Sequence, residues 1–260
     1  MPIVKDIIQF LEGKFPPSLA YEWDNVGLQL GNLNAQVKKI MIALDATTPV
    51  IDEAVEKGVD LIITHHPFFF VGVKQVDFGT PKGQNIGKLI KHDITLYSMH
   101  TNYDIADGGM NDVLASKMEL QNVKSFSMID EDHGLGRIGE LIADMTLVDF
   151  SDKVENHWLA NEVHHTQMVD ASSGGLVGKV AIIAGSGGKY FEDAKHAGAD
   201  VFVTGDMDYH TAVDAIEMGL SIVDIGHYAE VVMEQHVAGL LADKFDIEIT
   251  VPTASKNPIE

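Results

Sequence analysis

Apolar runs of strand length alternate along the chain with segments of helical period, a pattern that favours α/β architecture over segregated strands and helices. Val4 to Lys14 reads as an opening helix that stops before Pro16-Pro17. The loop Trp23-Asp24-Asn25-Val26-Gly27 then leads into a short apolar piece. Strands are predicted at Lys39–Leu44, Asp60–Thr64 and Ile94–Met99, with helices at Pro49–Lys57 and Asn85–Lys91 between them; proline near a helix start is expected, since the first-turn N–H has no partner to lose. The second half reads alike. Its strands fall at Lys179–Ala184, Asp200–Thr204 and Ser221–Asp224, and its helices at Tyr190–Ala197 and Tyr209–Met218. A helix from about His227 to Lys244 and a strand near Ile247–Val251 close the chain.

Three pieces recur. Val37–Ala43 resembles Val177–Ile183, and Gly58–Thr64 resembles Gly198–Thr204, with the same 24-residue interval from Ile40 to Thr64 as from Val180 to Thr204. The third pair is Ile94–Met99 followed by His100 and Asp104, against Ser221–Gly226 followed by His227 and Glu230. Order and spacing match together, so two related lobes are expected rather than chance likeness between βαβ units. The expected division is an N-terminal lobe at 1–125, a connector at 126–175 and a C-terminal lobe at 176–260, packed as one unit. The connector holds Gly134-Leu135-Gly136 and Ser172-Ser173-Gly174-Gly175 and is the expected hinge or boundary.

Composition narrows the chemistry. Eighteen Lys and Arg against 39 Asp and Glu give a net charge of −21. Such a field repels phosphate backbones, which argues against general nucleic-acid binding or an anionic membrane partner. A small phosphorylated substrate held at a metal stays open. Cysteine is absent, so disulfides, iron–sulfur clusters, thiolate zinc sites and cysteine nucleophiles fall away together. Charges near Met1 stand where a signal peptide needs an apolar run, and no apolar stretch approaches about 18 residues; a soluble cytoplasmic protein is expected. Any transition metal must be held by carboxylates and by some of the 12 histidines.

Ligands in open α/β sheets gather beyond the carboxyl ends of the strands. Asp45, Thr64-His65-His66-Pro67 and His100-Thr101-Asn102-Tyr103-Asp104 follow the strands of the first half; Gly185-Ser186-Gly187-Gly188, Thr204-Gly205-Asp206 and His227-Tyr228-Ala229-Glu230 follow those of the second. Adjacent extended residues point to opposite sides, and Pro67 favours an extended His66. His65 and His66 are therefore expected to serve two neighbouring metals rather than one. His227 and Glu230, three apart at a helix start, share a face; Glu230 has two oxygens with which to bridge, and Asp104 adds an anionic ligand. His100 reads as a ligand or as an orienting partner of one. His210, opening a helix after Gly205-Asp206, is a candidate for acid–base or supporting work, with Asp206 and Asn25 as lesser candidates. His164-His165 lack HExxH spacing and a strand-end position and read as solvated or interface residues. Gly185 to Gly188 is either a phosphate cradle at a helix N-terminus or a plain tight turn, since P-loop and GxGxxG spacing are missing. Pro67-Phe68-Phe69-Phe70-Val71 reads as core or pocket wall, or as a subunit contact. No G-x-S-x-G elbow is present.

With these residues in place the chain resembles the GTP cyclohydrolase 1 type 2 family, also called the Nif-three-like family, in its short form without the inserted middle domain. Trp23–Gln29, Ala43–Thr47, Asp60–Pro67, His100–Asp104, Gly185–Gly188, Thr204–His210 and Asp224–Glu230 carry the resemblance, and the pairing of Thr-His-His-Pro with Gly-His-x-x-Glu is its specific part. The resemblance implies two α/β lobes facing each other, a di-metal site between them, and a homohexamer. Its metal ligands fall on His65, His66, Asp104, His227 and Glu230, and less securely on His100. Two divalent ions per chain are expected, with zinc, iron, manganese, cobalt and nickel not distinguished by such ligands. The expected function is a metal-dependent hydrolase of a small, nucleotide-like substrate, attacked at a purine C8 or at a phosphoester. The alternative is a non-catalytic metal- or nucleotide-binding ring protein with a regulatory or scaffold role, and purely structural histidines would predict no bound metal.

Overall fold

The computed structural model describes residues 1–163, 165–171 and 174–259; His164, Ser172 and Ser173, singled out above, lie outside them. The chain divides into one unit made of Met1–Ala106 and Met233–Glu260 and a second made of Asp107–Val232. In chain order the first unit carries α1 (Val4–Glu12), β1 (Gly27–Leu30), β2 (Lys39–Ala43), α2 (Thr48–Lys57), β3 (Leu61–Thr64), α3 (Pro81–Lys91), β4 (Thr95–Ser98) and α4 (Thr101–Ile105). The second carries α5 (Met110–Lys117), β5 (Gln121–Met128), β6 (Gly134–Thr146), α6 (Leu147–Lys153), β7 (Gln167–Val169), β8 (Leu176–Ile182), α7 (Phe191–His196), β9 (Val201–Thr204), α8 (Tyr209–Glu217) and β10 (Ser221–Asp224). Then α9 (Val232–Ala242) and β11 (Glu248–Thr250) bring the chain back to the first unit.

Among the described residues the first unit's sheet has the order β1-β4-β3-β2-β11. β11, β2, β3 and β4 are parallel, and β1 closes the edge antiparallel. β3 is Leu61-Ile62-Ile63-Thr64, buried throughout, the continuous apolar run of a strand covered on both faces. Against it α2 buries Val50, Ile51 and Ala54 in a core that also takes Met41, Ile62, Ile86, Leu89 and Leu96. The ends of α2 are set locally: the Thr47 side chain accepts from the Val50 amide, and Gly58 takes the left-handed conformation at φ 64°, where a side chain would be strained.

The second unit's sheet has the order β5-β6-β8-β9-β10-β7. β8, β9 and β10 are parallel, and β5, β6 and β7 pair antiparallel. Residues 126–175, read from the sequence as a connector, contribute β6, α6 and β7 to this unit. The hinge reading of Gly134-Leu135-Gly136 is corrected here. Both glycines are buried in β6, and a Cβ at Gly136 would fall 2.2 Å from the Phe126 ring, while one at Gly134 would meet the Phe126 carbonyl at 2.5 Å. They are glycine because a neighbouring strand packs onto them.

The recurrence in sequence is a recurrence in structure. Asp60 accepts from the Lys38 and Lys39 amides at 2.7 and 3.0 Å; Asp200 accepts from Gly178 and Lys179 at 3.0 and 2.7 Å. Ile40 pairs with Leu61 as Val180 pairs with Val201. The closing helix expected from His227 to Lys244 is instead a 3-10 turn at His227–Val231 followed by α9. Among the described residues, no helix is long and apolar enough to cross a membrane.

Candidate metal centre

In the first unit the chain bends at His65-His66 immediately beyond β3. The bend is held by the Thr64 hydroxyl, which donates to the His66 carbonyl at 2.9 Å, and by the His65 and His66 amides, which donate to the carbonyls of Ala43 and Leu44. The expectation that the two imidazoles point to opposite sides is therefore corrected: alternation applies to an extended strand, and here the ring centroids are 5.0 Å apart. One ligand atom each from His65, His66 and His100 lies within 4.8 Å of the others. His65 Nε2 stands 3.6 Å from Asp104 Oδ1, beyond hydrogen-bonding distance. Asp104 is placed by α4, whose first turn follows β4 directly.

The partners of the other ring nitrogen fix the chemistry. His65 Nδ1 is 2.9 Å from the Met99 carbonyl, which can only accept, so Nδ1 carries the proton and Nε2 carries the lone pair. His66 Nδ1 is 2.9 Å from Asp45 Oδ1. His100 Nδ1 lies 3.0 Å from both oxygens of Asp24, which also accepts from the Thr101 amide at 3.0 Å and its hydroxyl at 2.6 Å. Burial would raise the Asp24 carboxyl, but hydrogen bonds from His100 and Thr101 outweigh it and hold the group below its ordinary 3.8. Asp24 stays ionised and aims His100.

The second unit repeats the device with other residues. Gly226 turns the chain at φ 71° into the 3-10 turn that carries His227 and Glu230. His227 Nε2 is 3.2 Å from Glu230 Oε2, and His227 Nδ1 is 2.6 Å from Asp206 Oδ2. Ser186 Oγ donates to the same Asp206 oxygen at 2.5 Å. Burial pushes Asp206 up, and the bonds from Ser186 and His227 bring it below 3.8. Gly185, at φ 60°, backs onto Glu230: a Cβ there would fall 2.4 Å from Oε1. The glycine makes room for a carboxylate. The Gly187 amide donates to the Thr204 hydroxyl at 3.0 Å and to the Gly185 carbonyl at 2.9 Å, as in a tight turn closed on itself.

Asn25 fastens two loops, its Nδ2 donating to the Phe69 carbonyl at 2.6 Å. His210 sits in the first turn of α8 with its ring against Tyr209, and among the described residues it joins no group of three ligand atoms. The sequence reading placed Asp45 at a strand end but assigned no role to Asp45 or Asp24. A signal for Asp45 existed: Ala43 pairs with Thr64 in the parallel ladder, so the residues two beyond each, Asp45 and His66, emerge side by side.

A two-sheet α/β chain with imidazoles at the carboxyl ends of its parallel strands, each tied by Nδ1 to an oxygen, is the class of protein seen here. Residues 2–258 match the family model Duf34/NIF3 (NGG1p interacting factor 3), and the chain belongs to that family. It is 37% identical over 262 residues to the GTP cyclohydrolase 1 type 2 homolog of Clostridium perfringens, across 99% of this chain and 98% of that one. The Bacillus cereus protein related to NIF3 superposes with a TM-score of 0.90 at 31% identity, covering 99% and 98% of the two chains. Reduced HcgD from Methanocaldococcus jannaschii gives a TM-score of 0.82 at 32% identity, covering 96% and 97%.

Proposed function

We propose that this chain is a metal-dependent hydrolase of a small, nucleotide-like substrate, with His65, His66, Asp104, His227 and Glu230 as ligands of two divalent ions per chain. The observation that carries the reading is the common tether of the three proposed imidazole ligands: Nδ1 of His65, His66 and His227 each lies against a carbonyl or carboxylate oxygen at 2.6 to 2.9 Å. That arrangement presents Nε2 as a ligand and raises its basicity, as the outer partners of metal-bound histidines do. The donor set fits a transition metal. Imidazole and carboxylate suit zinc, iron, manganese, cobalt or nickel, and Gly185 leaves the space that the Glu230 carboxylate occupies.

A divalent cation in such a setting brings the pKa of a water toward about 7 and polarises an electrophilic carbon or phosphorus. The chain's own residues supply the rest. Asp24 holds His100 with Nε2 available to take a proton from the attacking water and return it to the leaving group. Asp206 and Ser186 keep His227 in one orientation, and Asp45 does the same for His66. His210 is the lesser candidate for proton transfer. Local cationic charge would let a chain of net charge −21 accept an anionic nucleotide.

The binding-only reading uses the same ligands, and the complete burial of His65 favours it. The side chains of His66 and His227, 23% and 36% exposed, favour a site open to water and with it turnover. Metal-restored protein is expected to release formate from GTP or phosphate from a panel of phosphoesters, with His65→Ala and Glu230→Ala inactive. Bound metal without turnover on any of these would leave the binding protein, and no bound metal would remove both. The hexamer belongs to the same proposal and is checked by light scattering, where a monomer would count against it.

A further inference from the structure

Two aromatic rings beside the first unit's imidazoles take no part in metal ligation. Trp23 is 58% exposed and Phe70 57%. A single exposed ring calls for no explanation, but these two are built into place. Their centroids lie 5.9 Å apart at 45°, and each is 6.1 Å from the His100 ring, at 76° and 70°. Tyr21 stacks on Trp23 at 5.8 Å and 17°. The loops that carry the rings are laced together. Asn25 Nδ2 donates to the Phe69 carbonyl, the Phe69 amide donates to Gln29 Oε1 at 3.0 Å, and Gln29 Nε2 donates to the Asn25 carbonyl at 2.6 Å. Trp23 is also covalent neighbour to Asp24, the carboxylate that aims His100. The fold thus holds two large apolar surfaces in water, at a hydrophobic cost, one of them on the loop that orients His100.

We propose that Trp23 and Phe70 are the substrate's ring-binding residues: a planar heteroaromatic group lies on the Trp23 face with its edge toward Phe70 and its reacting atom toward His100. The 45° tilt suits this, since one ring offers a face and the other completes an edge-to-face contact. The surrounding charge points the same way. Asp24, Asp45 and Asp104 stand around the imidazoles, and the face of an uncharged ring meets no repulsion from them. This deepens the proposed function and rests on the imidazole cluster being where substrate reacts, but the ring grip has its own readout.

The test uses Trp158→Phe protein, so that Trp23 is the remaining tryptophan of the two and its emission reports the site. Guanosine, adenosine and nicotinamide are titrated with ribose 5-phosphate as the ring-free control, in chelator-treated and metal-restored protein. At least one ring is expected to quench Trp23 in both preparations, and ribose 5-phosphate to leave it unchanged. Isothermal titration of that ring compound should show binding weakened roughly tenfold or more in Trp23→Leu, which keeps bulk and loses the π face, and less in Trp23→Phe. Phe70→Ala should fall between them, and circular dichroism checks that each variant folds. The proposal is overturned if no ring moves the emission at millimolar concentration, or if Trp23→Leu and Phe70→Ala bind within twofold of the parent. It is overturned too if the variants change particle size in light scattering while ring affinity holds, which would make the rings a subunit contact. Metal content, measured separately on the parent, decides the hydrolase reading without touching this one.

Discussion

The strand ends of the two units invite comparison because their frames are so alike. β3 and β9 each follow a strand–helix connection stapled by an aspartate, Asp60 in one and Asp200 in the other. Beyond β3 the chain reads Thr64-His65-His66; beyond β9 it reads Thr204-Gly205-Asp206. Packing accounts for part of the difference. A Cβ at Gly205 would fall 2.8 Å from the Gly226 carbonyl carbon, so no histidine can stand there. The second unit accordingly places its imidazole after the next strand, at His227, and uses Asp206 to orient it. The first unit keeps two histidines at the strand end and draws its orienting acids from neighbouring loops, Asp45 and Asp24. One frame thus serves as a histidine-rich end in one copy and an orienting end in the other, and the exchange turns on how closely a second loop passes.

The strongest way to break the comparison is to erase it. Gly205→His would copy His65 into the second unit and drive a side chain into backbone; it is expected to cost about 3 kcal/mol or more in urea unfolding. A variant as stable as the parent would show that packing does not explain the asymmetry.

A second difference titrates. The amides at the matched positions Leu44 and Ala184 are accepted by Glu234 at 3.0 Å and by Asn111 at 2.8 Å. Burial pushes the Glu234 carboxyl up to about 7 despite the bond from Leu44, with Asp45 and Glu53 adding repulsion. A carboxyl raised in the fold binds its proton more tightly there than in the unfolded chain. Its contribution is present below about pH 4.5 and is lost as pH rises through about 7. Glu234→Gln keeps the acceptor and removes the charge, so stability at pH 8 is expected to rise by about 2 kcal/mol relative to pH 5. Parallel pH profiles in parent and variant would refute this.

The shared staple gives a smaller and symmetric effect. Asp60→Ala and Asp200→Ala are each expected to cost about 2 kcal/mol, about 1 kcal/mol for each of two largely exposed hydrogen bonds. A large cost at one site and none at the other would break the repeat. Smallest are the orienting acids. Asp45→Asn and Asp206→Asn keep an acceptor oxygen but lose charge, and should weaken metal binding roughly tenfold, the low end of what outer partners contribute. Competition with a chelator reads the change, and unchanged affinity in both would deny the tethers their role.

Much of this was legible in the sequence because parallel strands draw on a narrow alphabet. Leu61–Thr64 and Val201–Thr204 are buried throughout, and their matched spacing exposed the repeat. β6 was not legible, because Gly134 and Gly136 read as turn residues until Phe126 is seen packed against them. The candidate ligands stood at strand ends and could be picked by position. Their orienting partners could not, since Asp24 meets His100 across 76 residues and Met99 meets His65 through a backbone carbonyl that leaves no mark in sequence.

The most direct measurement is the metal content of the chain by mass spectrometry after chelation and reloading with zinc, iron, manganese, cobalt and nickel in turn. The account predicts about two ions per chain for at least one of these, with at least one lost in His65→Ala and at least one in Glu230→Ala. A parent that holds none, or variants that load like the parent, would contradict it.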